Sequence, residues 1–523
     1  MPFMIPAEPA ESDSEAPKPP PVNPTPVNPT PATKARKLEL NFVVLAAGEF
    51  LAKICTFLAF SHLARTLGPE RYGSIEFVLA LMVFFSLMVD FGLGHYGARE
   101  VARNPETANR FLRQIVGLRI LLAGVSFVVL WGLVLVLHKP AEVELLLCVY
   151  GLSLFGGPFL LQWFFQAHDR MGYAAIVNAL RQFVFAVCVL MLFRVDTPLY
   201  AIGVMECVSV LAAGLLGMAL LRFGLGERAG VPQLRGTLAP HWKQALPIGM
   251  TEMAWAFTWY FSTVILGLIY GKELLGWFGA SHRLLMALHT FVFLYFFNLL
   301  PSISRCAERP VAELRELMNY SMRFAVWTGV FAAFLLTVLS REIVILAYGE
   351  LFAEAQASIV VLGWILPLAM LSGHHRFILI AYRRQDKLLV STVASALLAV
   401  AGGLALVPLY GDSGAAWALL LANVLQFALA YYYVRKHITR ISFLRQLWEP
   451  VFALSVGFVL FFGLKPWLHP WVVGILAGCL YGALMLWFNG GQALSVIRTV
   501  MRQNGAAPAP AAISEPAPFA EQP

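Results

Sequence analysis

From about residue 40 to about residue 488 the chain alternates apolar runs of about 18 to 25 residues with short polar turns. That is the length a helix needs to cross the hydrocarbon core of a bilayer. About fourteen such runs follow one another, the shortest near 450–464. Inside lipid no water can satisfy the backbone, so each run must close its hydrogen bonds within itself. The expected fold is an all-α integral membrane protein of about fourteen transmembrane helices. Composition agrees: 59% of residues are apolar, only 13% are charged and the mean hydropathy is +0.71. Soluble domains carry about 25% charged residues.

The formal charge of +8 sits in the turns, not on a polar domain interleaved with aromatics. That placement excludes nucleic acid as a partner. With the N-terminus inside, about 26 Lys and Arg fall in inner segments and about 7 in outer ones. The bias places both termini in the cytoplasm. The six cysteines are scattered singly, with no C-x-x-C and no Cys/His spacing for a metal or a disulfide framework.

Residues 1–37 form a separate regime, an acidic start and a proline-rich tract with PVNPT twice. Such a segment cannot bury a core and reads as a disordered cytoplasmic tail, with a linker or docking ligand as the alternative. It lacks the basic-then-apolar pattern of a signal peptide. The rest divides into a six-helix lobe over 38–221, a cytoplasmic linker over 222–244 and a second six-helix lobe over 245–440. Two extra helices follow over 441–490, then a cytoplasmic tail over 491–523, mostly disordered. A weak repeat supports the division. Glu49, Gly68, Glu70 and Gly73 recur at one constant offset as Glu252, Gly271, Glu273 and Gly276.

A charge inside a bilayer costs roughly 2.5–3.5 kcal/mol by insertion scales, so each one needs a reason. Glu49, Lys53 and Thr56 share a face of the first run. They suit either a polar stripe on a central cavity or a self-neutralised pair. Asp90 closes the second run and either faces the cavity or meets Arg99 or another basic residue. Asn178, Arg181 and Gln182 form a polar face, although Arg181 is near enough to the end to snorkel. Glu206 lies in the sixth run. Glu252 is followed by Trp255 and Trp259, which suits a proton site, a sugar-facing wall or plain packing. His282 and His289 lie seven apart on the run that carries Arg283, and either bind sugar or protons or pack. His374, His375 and Arg376 either guide an anionic head group or mark the interface. Arg283, Lys53, Arg181, His282 and Arg376 are the expected substrate-binding set; Glu49, Glu252, Asp90 and Glu206 are the expected coupling-ion or cavity acids. No metal ligand set, cofactor motif, Walker A sequence or hydrolase signature appears in a suitable setting.

The stretch from Leu63 to Glu100 carries Leu67-Gly68-Pro69-Glu70-Arg71-Tyr72-Gly73, an apolar run, then Asp90-Phe91-Gly92-Leu93-Gly94 and Arg99-Glu100. This pattern closely resembles the first hairpin of Wzx-like polysaccharide-unit flippases, a branch of the multidrug/oligosaccharidyl-lipid/polysaccharide (MOP) exporter superfamily. The segment from Gly276 through Leu285, with Arg283 and the helix-closing Leu300-Pro301, resembles the family's eighth helix, where a basic residue faces the cavity. The resemblance implies a MATE/MOP-like fold in the bacterial inner membrane and no enzymatic activity. It also implies an undecaprenyl-pyrophosphate-linked oligosaccharide as substrate, with a polysaccharide polymerase and chain-length machinery as expected partners. A cation-coupled exporter of drugs or metabolites on the same fold is the alternative. A membrane polymerase or O-antigen ligase is the third reading, and the large outer catalytic loop such enzymes share is not visible.

Overall fold

The computed structural model describes the backbone of residues 31–227, 230–233, 238–442 and 444–505, and the side chains of 47–227, 230–233, 241–442, 444 and 446–489. The tail expected over residues 1–37 lies outside the described residues as far as Thr30, and so do the last eighteen residues of the chain and parts of the linker expected over 222–244. The described chain is helical almost throughout. In order, its α-helices are α1 (Pro31–Asp90), α2 (Leu93–Arg103), α3 (Ala108–Leu137), α4 (Ala141–Gly151), α5 (Gln162–Ala167), α6 (Met171–Leu192) and α7 (Tyr200–Ala219). The second part holds α8 (Leu238–Ile269), α9 (Lys272–Cys306), α10 (Val311–Val338), α11 (Ser340–Tyr348), α12 (Gln356–Gly363), α13 (Ile365–Ala381), α14 (Gln385–His437), α15 (Leu444–Leu464) and α16 (Pro470–Gly505).

Among the described residues, 12 stretches are long and apolar enough to cross a membrane. Two of these are double crossings. α1 breaks at Gly68, whose φ of 70° is open to glycine and strained for other residues. α14 breaks at Gly411, φ 59°, and its two limbs lie against each other, with the Ser395 hydroxyl donating to the Ala422 carbonyl at 2.7 Å. About fourteen crossing segments result, as the run lengths require. The fourth expected run, near 145–166, is not one helix: Gly156-Gly157-Pro158 interrupts it with 3₁₀ turns before α5. Pro158 removes a donor that a continuous helix needs.

Two similar arrangements occupy the two parts of the chain. α1 packs most extensively on α6, and α8 on α14. Their junction is built on the sequence repeat. A Cβ on Gly73 would stand 1.8 Å from the Lys272 carbonyl oxygen, and one on Gly276 would stand 2.0 Å from the Pro69 carbonyl oxygen. The contact is reciprocal, as pseudo-two-fold symmetry requires. Around it Tyr72 meets Tyr348 and Phe352, all three buried. Arg65 donates to the Leu346 and Ala347 carbonyls, and Ser61 to the Ala347 carbonyl, at the C-terminal end of α11. The Lys139 ammonium donates to the Gly267 carbonyl at 2.8 Å; its burial and the nearby Lys272 charge hold its pKa below the usual lysine range. Both cations sit where a helix C-terminus concentrates negative partial charge.

The other end of the junction uses the Asp90-Phe91-Gly92-Leu93-Gly94 segment. Gly92 has φ 75° and would bring a Cβ to 2.7 Å from the Gly249 nitrogen, so the turn lies directly on α8. Phe91 stacks on Trp242 with centroids 5.0 Å apart. α15 and α16 pack outside α10: the Tyr481 hydroxyl donates to the Trp327 carbonyl at 3.1 Å, and Phe334 meets Phe458 edge to face. Large apolar side chains such as Leu211, Leu215 and Trp487 stay exposed on the outside of the bundle, the surface a bilayer would cover.

Candidate functional site: a charged cavity between two halves

A cavity of about 430 Å³ lies between the two parts of the chain. α1 supplies Lys53, Thr56, Phe57 and Phe60 from its first limb and Glu76, Met82 and Ser86 from its second. α6 adds Arg181 and Gln182, α7 adds Glu206, α8 adds Tyr260, and α9 adds His282 and Arg283. The break at Gly68 explains how one helix lines two walls: it returns the chain so that residues 53–60 and 76–86 converge.

Arg283 is held from both sides. Its Nη2 and Nε donate to one oxygen of Glu76 at 2.7 and 2.9 Å, and its guanidinium lies 3.4 Å from the Phe60 ring centroid. Its acid partner is Glu76; Glu49 meets Asn178 and Glu252 meets His95. Gly279 makes room for that carboxylate, since a Cβ there would stand 2.4 Å from the Glu76 Cγ. Gly279 stands at the repeat offset from Glu76, so the two halves contribute an acid and a space at equivalent places.

Arg181 pairs with Glu206 within one half, its Nε donating at 3.2 Å, and Ser209 donates to the other Glu206 oxygen at 3.3 Å. Snorkelling is thus not what Arg181 does. Glu49 does not line the cavity; it accepts from Asn178 at 2.7 Å, while Thr56 donates to Gln182 at 3.0 Å one turn further along. Among the described residues Lys53 and Arg376 enter no ion pair. Lys53 lines the cavity and Arg376 does not.

His282 is buried between Phe278 and Tyr260, centroids 5.8 and 5.3 Å away, with its Nε2 unpartnered among the described residues. His289 meets Trp259 edge to face at 5.0 Å. The histidine pair of α13 takes the packing role. His374 and His375 are fully buried, and each shares a 2.8 Å hydrogen bond with the carbonyl four residues back. Aromatic rings enclose them, so no head group reaches these side chains in this conformation.

Asp90 and Glu252 lie away from the main cavity. Asp90 pairs with Arg119, not with Arg99, which meets Glu100 at 3.2 Å. Gly94 leaves the space for that pair, a Cβ there standing 2.7 Å from the Arg119 Nη2. Asp90 and Arg119 line a second cavity of about 230 Å³ that shares Ser86, Ser153 and Arg181 with the first. Glu252 accepts from the His95 Nδ1 at 2.9 Å, and its second oxygen is buried without a partner among the described residues. The residue that sequence reasoning missed is Glu76. Its signal was a carboxylate one position into the apolar run after Gly73, which read as the edge of a turn.

Two packed halves with a charged cavity between them form the architecture of a multi-pass membrane transporter. Residues 39–307, just over half of the chain, match the family described as Polysaccharide biosynthesis protein, and the chain belongs to that family within the MOP superfamily of transporters. Residues 278–482 also match the family described as Lipid II flippase MurJ.

The chain is 19% identical over 192 residues to a protein named as an O-antigen transporter in Escherichia coli (strain K12), covering 36% of this chain and 46% of that one. It is 20% identical over 274 residues to one so named in Shigella dysenteriae, covering 52% and 68%. The match thus spans less than half of the first relative's length. Among solved structures the fold is similar to the lipid II flippase MurJ in an inward closed conformation, with a TM-score of 0.71 and 13% identity over 86% of this chain and 100% of that one. It is also similar to an inward-facing multidrug resistance MATE family transporter, with a TM-score of 0.61 and 13% identity over 73% and 95%. The fold expectation of a MATE/MOP-like helical membrane protein is borne out.

Proposed function

We propose that this transporter flips undecaprenyl-pyrophosphate-linked oligosaccharide units from the inner to the outer leaflet of the bacterial inner membrane, for O-antigen, capsule or exopolysaccharide assembly. The two halves act as the six-helix lobes over 38–221 and 245–440, rocking about the cavity in alternating access. The Arg and Lys bias places both termini in the cytoplasm and the Gly73–Gly276 junction at the outer face.

The observation that carries the reading is the charge of the cavity wall. Lys53, Arg181 and Arg283 line it against Glu76 and Glu206, and both arginines are neutralised by those acids. Lys53 is left as the surplus charge, facing the space. An unpaired ammonium pairs with phosphate oxygens, and the arginines add bidentate donors once their carboxylates yield. Thr56, Gln182 and Tyr260 offer hydroxyl and amide partners for sugar beside it. The test is to deplete the protein in a cell that makes such a polymer and locate the lipid-linked oligosaccharide. The reading requires its accumulation on the inner leaflet. Unchanged distribution, with altered efflux of cationic dyes, would favour the drug exporter instead.

A further inference from the structure

Among the described residues, two ion pairs join the halves: Glu76–Arg283 near the Gly73–Gly276 junction, and His95–Glu252 at the opposite end. The first is a carboxylate with a guanidinium, and a guanidinium stays charged over the physiological range. The second contains a histidine, the side chain whose charge changes between about pH 5 and 8. Of the two pairs, the second therefore holds the group that titrates in this range.

The surroundings of His95 set the direction. One imidazole nitrogen of His95 and one carboxylate oxygen each of Asp90 and Glu252 all lie within 4.8 Å of one another, and Arg119 holds Asp90. Glu252 belongs to α8 of the second half; Asp90, His95 and Arg119 belong to the first. From α8, His241 also faces this junction, bonded to Tyr96 at 3.1 Å and Gln114 at 3.0 Å. From α3 come Arg119 and Arg110, and from α2 come Arg99 and Arg103, which both pair with Glu100. α5 brings no charged side chain. With His95 neutral, Asp90, Glu252 and Arg119 sum to one negative charge, and one Glu252 oxygen has no partner. One proton on the imidazole neutralises the cluster. When the halves part, Glu252 leaves with α8, Asp90 keeps Arg119, and His95, whose side chain is already 76% exposed, faces water alone.

We propose that the Asp90–Arg119–His95–Glu252 cluster is a proton-operated latch: closing this end of the transporter takes up one proton on His95, so acid on that side holds it shut. The inference rests on the reading that the halves move against each other. Its sign follows from linkage: the state that binds more protons gains stability as pH falls and loses it as pH rises through the histidine range. The Glu76–Arg283 pair holds no histidine.

The experiment measures the distance between spin labels at Asn104→Cys and Glu308→Cys, one on each half at this end. The full-length protein, freed of native cysteines, is held in lipid nanodiscs. From about pH 5.5 to about pH 8.5 the short-distance population should fall at least about fivefold. His95→Gln, a change at an exposed side chain, should remove the dependence, and His95→Lys should hold the short distance at every pH. His241→Gln should leave the midpoint in place. A pH-independent distance in the unaltered protein overturns the latch, and so does a dependence that survives His95→Gln or vanishes with His241→Gln. If polyprenyl pyrophosphate moves the labels while pH does not, the latch alone fails. If neither moves them, the reading of moving halves fails with it.

Discussion

Gly73 and Gly276 face each other across the two halves, and a methyl group on either would overlap the carbonyl of the residue that follows the first glycine of the other's motif. The G-x-E-x-x-G repeat is thus a contact surface, used twice and reciprocally. A side chain at either position must push the halves apart where Tyr72, Tyr348 and Phe352 otherwise bury one another. Gly276→Ala should cost about 1–3 kcal/mol of stability in the closed form, the usual cost of overpacking. Thiol labelling of Tyr72→Cys checks it: the buried site should become reactive when Gly276→Ala is added.

Arg283 and Glu76 are a buried pair, and breaking such a pair costs about 3–5 kcal/mol because one charge is left alone. Arg283→Ala should lower membrane abundance and thermal stability, and Glu76→Gln added to it should restore most of the loss. Glu49→Gln or Glu252→Gln added to Arg283→Ala should restore nothing, since neither acid touches Arg283. Fluorescence-detected size exclusion during a thermal ramp gives the comparison.

Lys53 should behave in the opposite way. It has no acid to abandon, so Lys53→Ala should leave abundance unchanged while transport falls about tenfold, equivalent to about 1.4 kcal/mol of lost attraction. Lys53→Glu should be worse, because a like charge would then oppose the proposed phosphate. The assay is polymer output at matched protein level.

How much of this was open to sequence reading depended on range. The helices were legible because lipid demands one length and one hydropathy, and the breaks at Gly68 and Gly411 coincide with the turns. Arg283, Arg181, Lys53, His282 and Glu206 were legible as costly charges or polar groups in apolar runs, and the structure brings them to one cavity. Their partners were not. Glu76 and Arg283 are separated by 207 positions, and only the pseudo-two-fold packing brings them together. Asp90 illustrates the same limit: a basic partner was foreseen, but Arg99 on the following helix was as good a candidate as Arg119 on α3. The roles of Gly94 and Gly279, which make space for salt bridges, could not be read before those bridges were known.

Reporter fusions test the orientation. Lys139, Lys272 and Asp412 should report the outer side, and Arg309 and Lys387 the cytoplasm. A reversed reading at one of the internal sites would contradict the alternation of basic turns.

Reconstitution tests whether the cavity carries a pyrophosphate-linked glycan. Purified protein in proteoliposomes is given a fluorescent undecaprenyl-pyrophosphate-linked oligosaccharide, and the fraction reaching the opposite leaflet is read by quenching with a membrane-impermeant reductant. Transfer should depend on the protein, fall about tenfold in Lys53→Ala, and be absent for the same glycan on an uncharged polyprenol. Equal transfer of the charged and uncharged lipids, or transfer indifferent to Lys53, would contradict the proposed function.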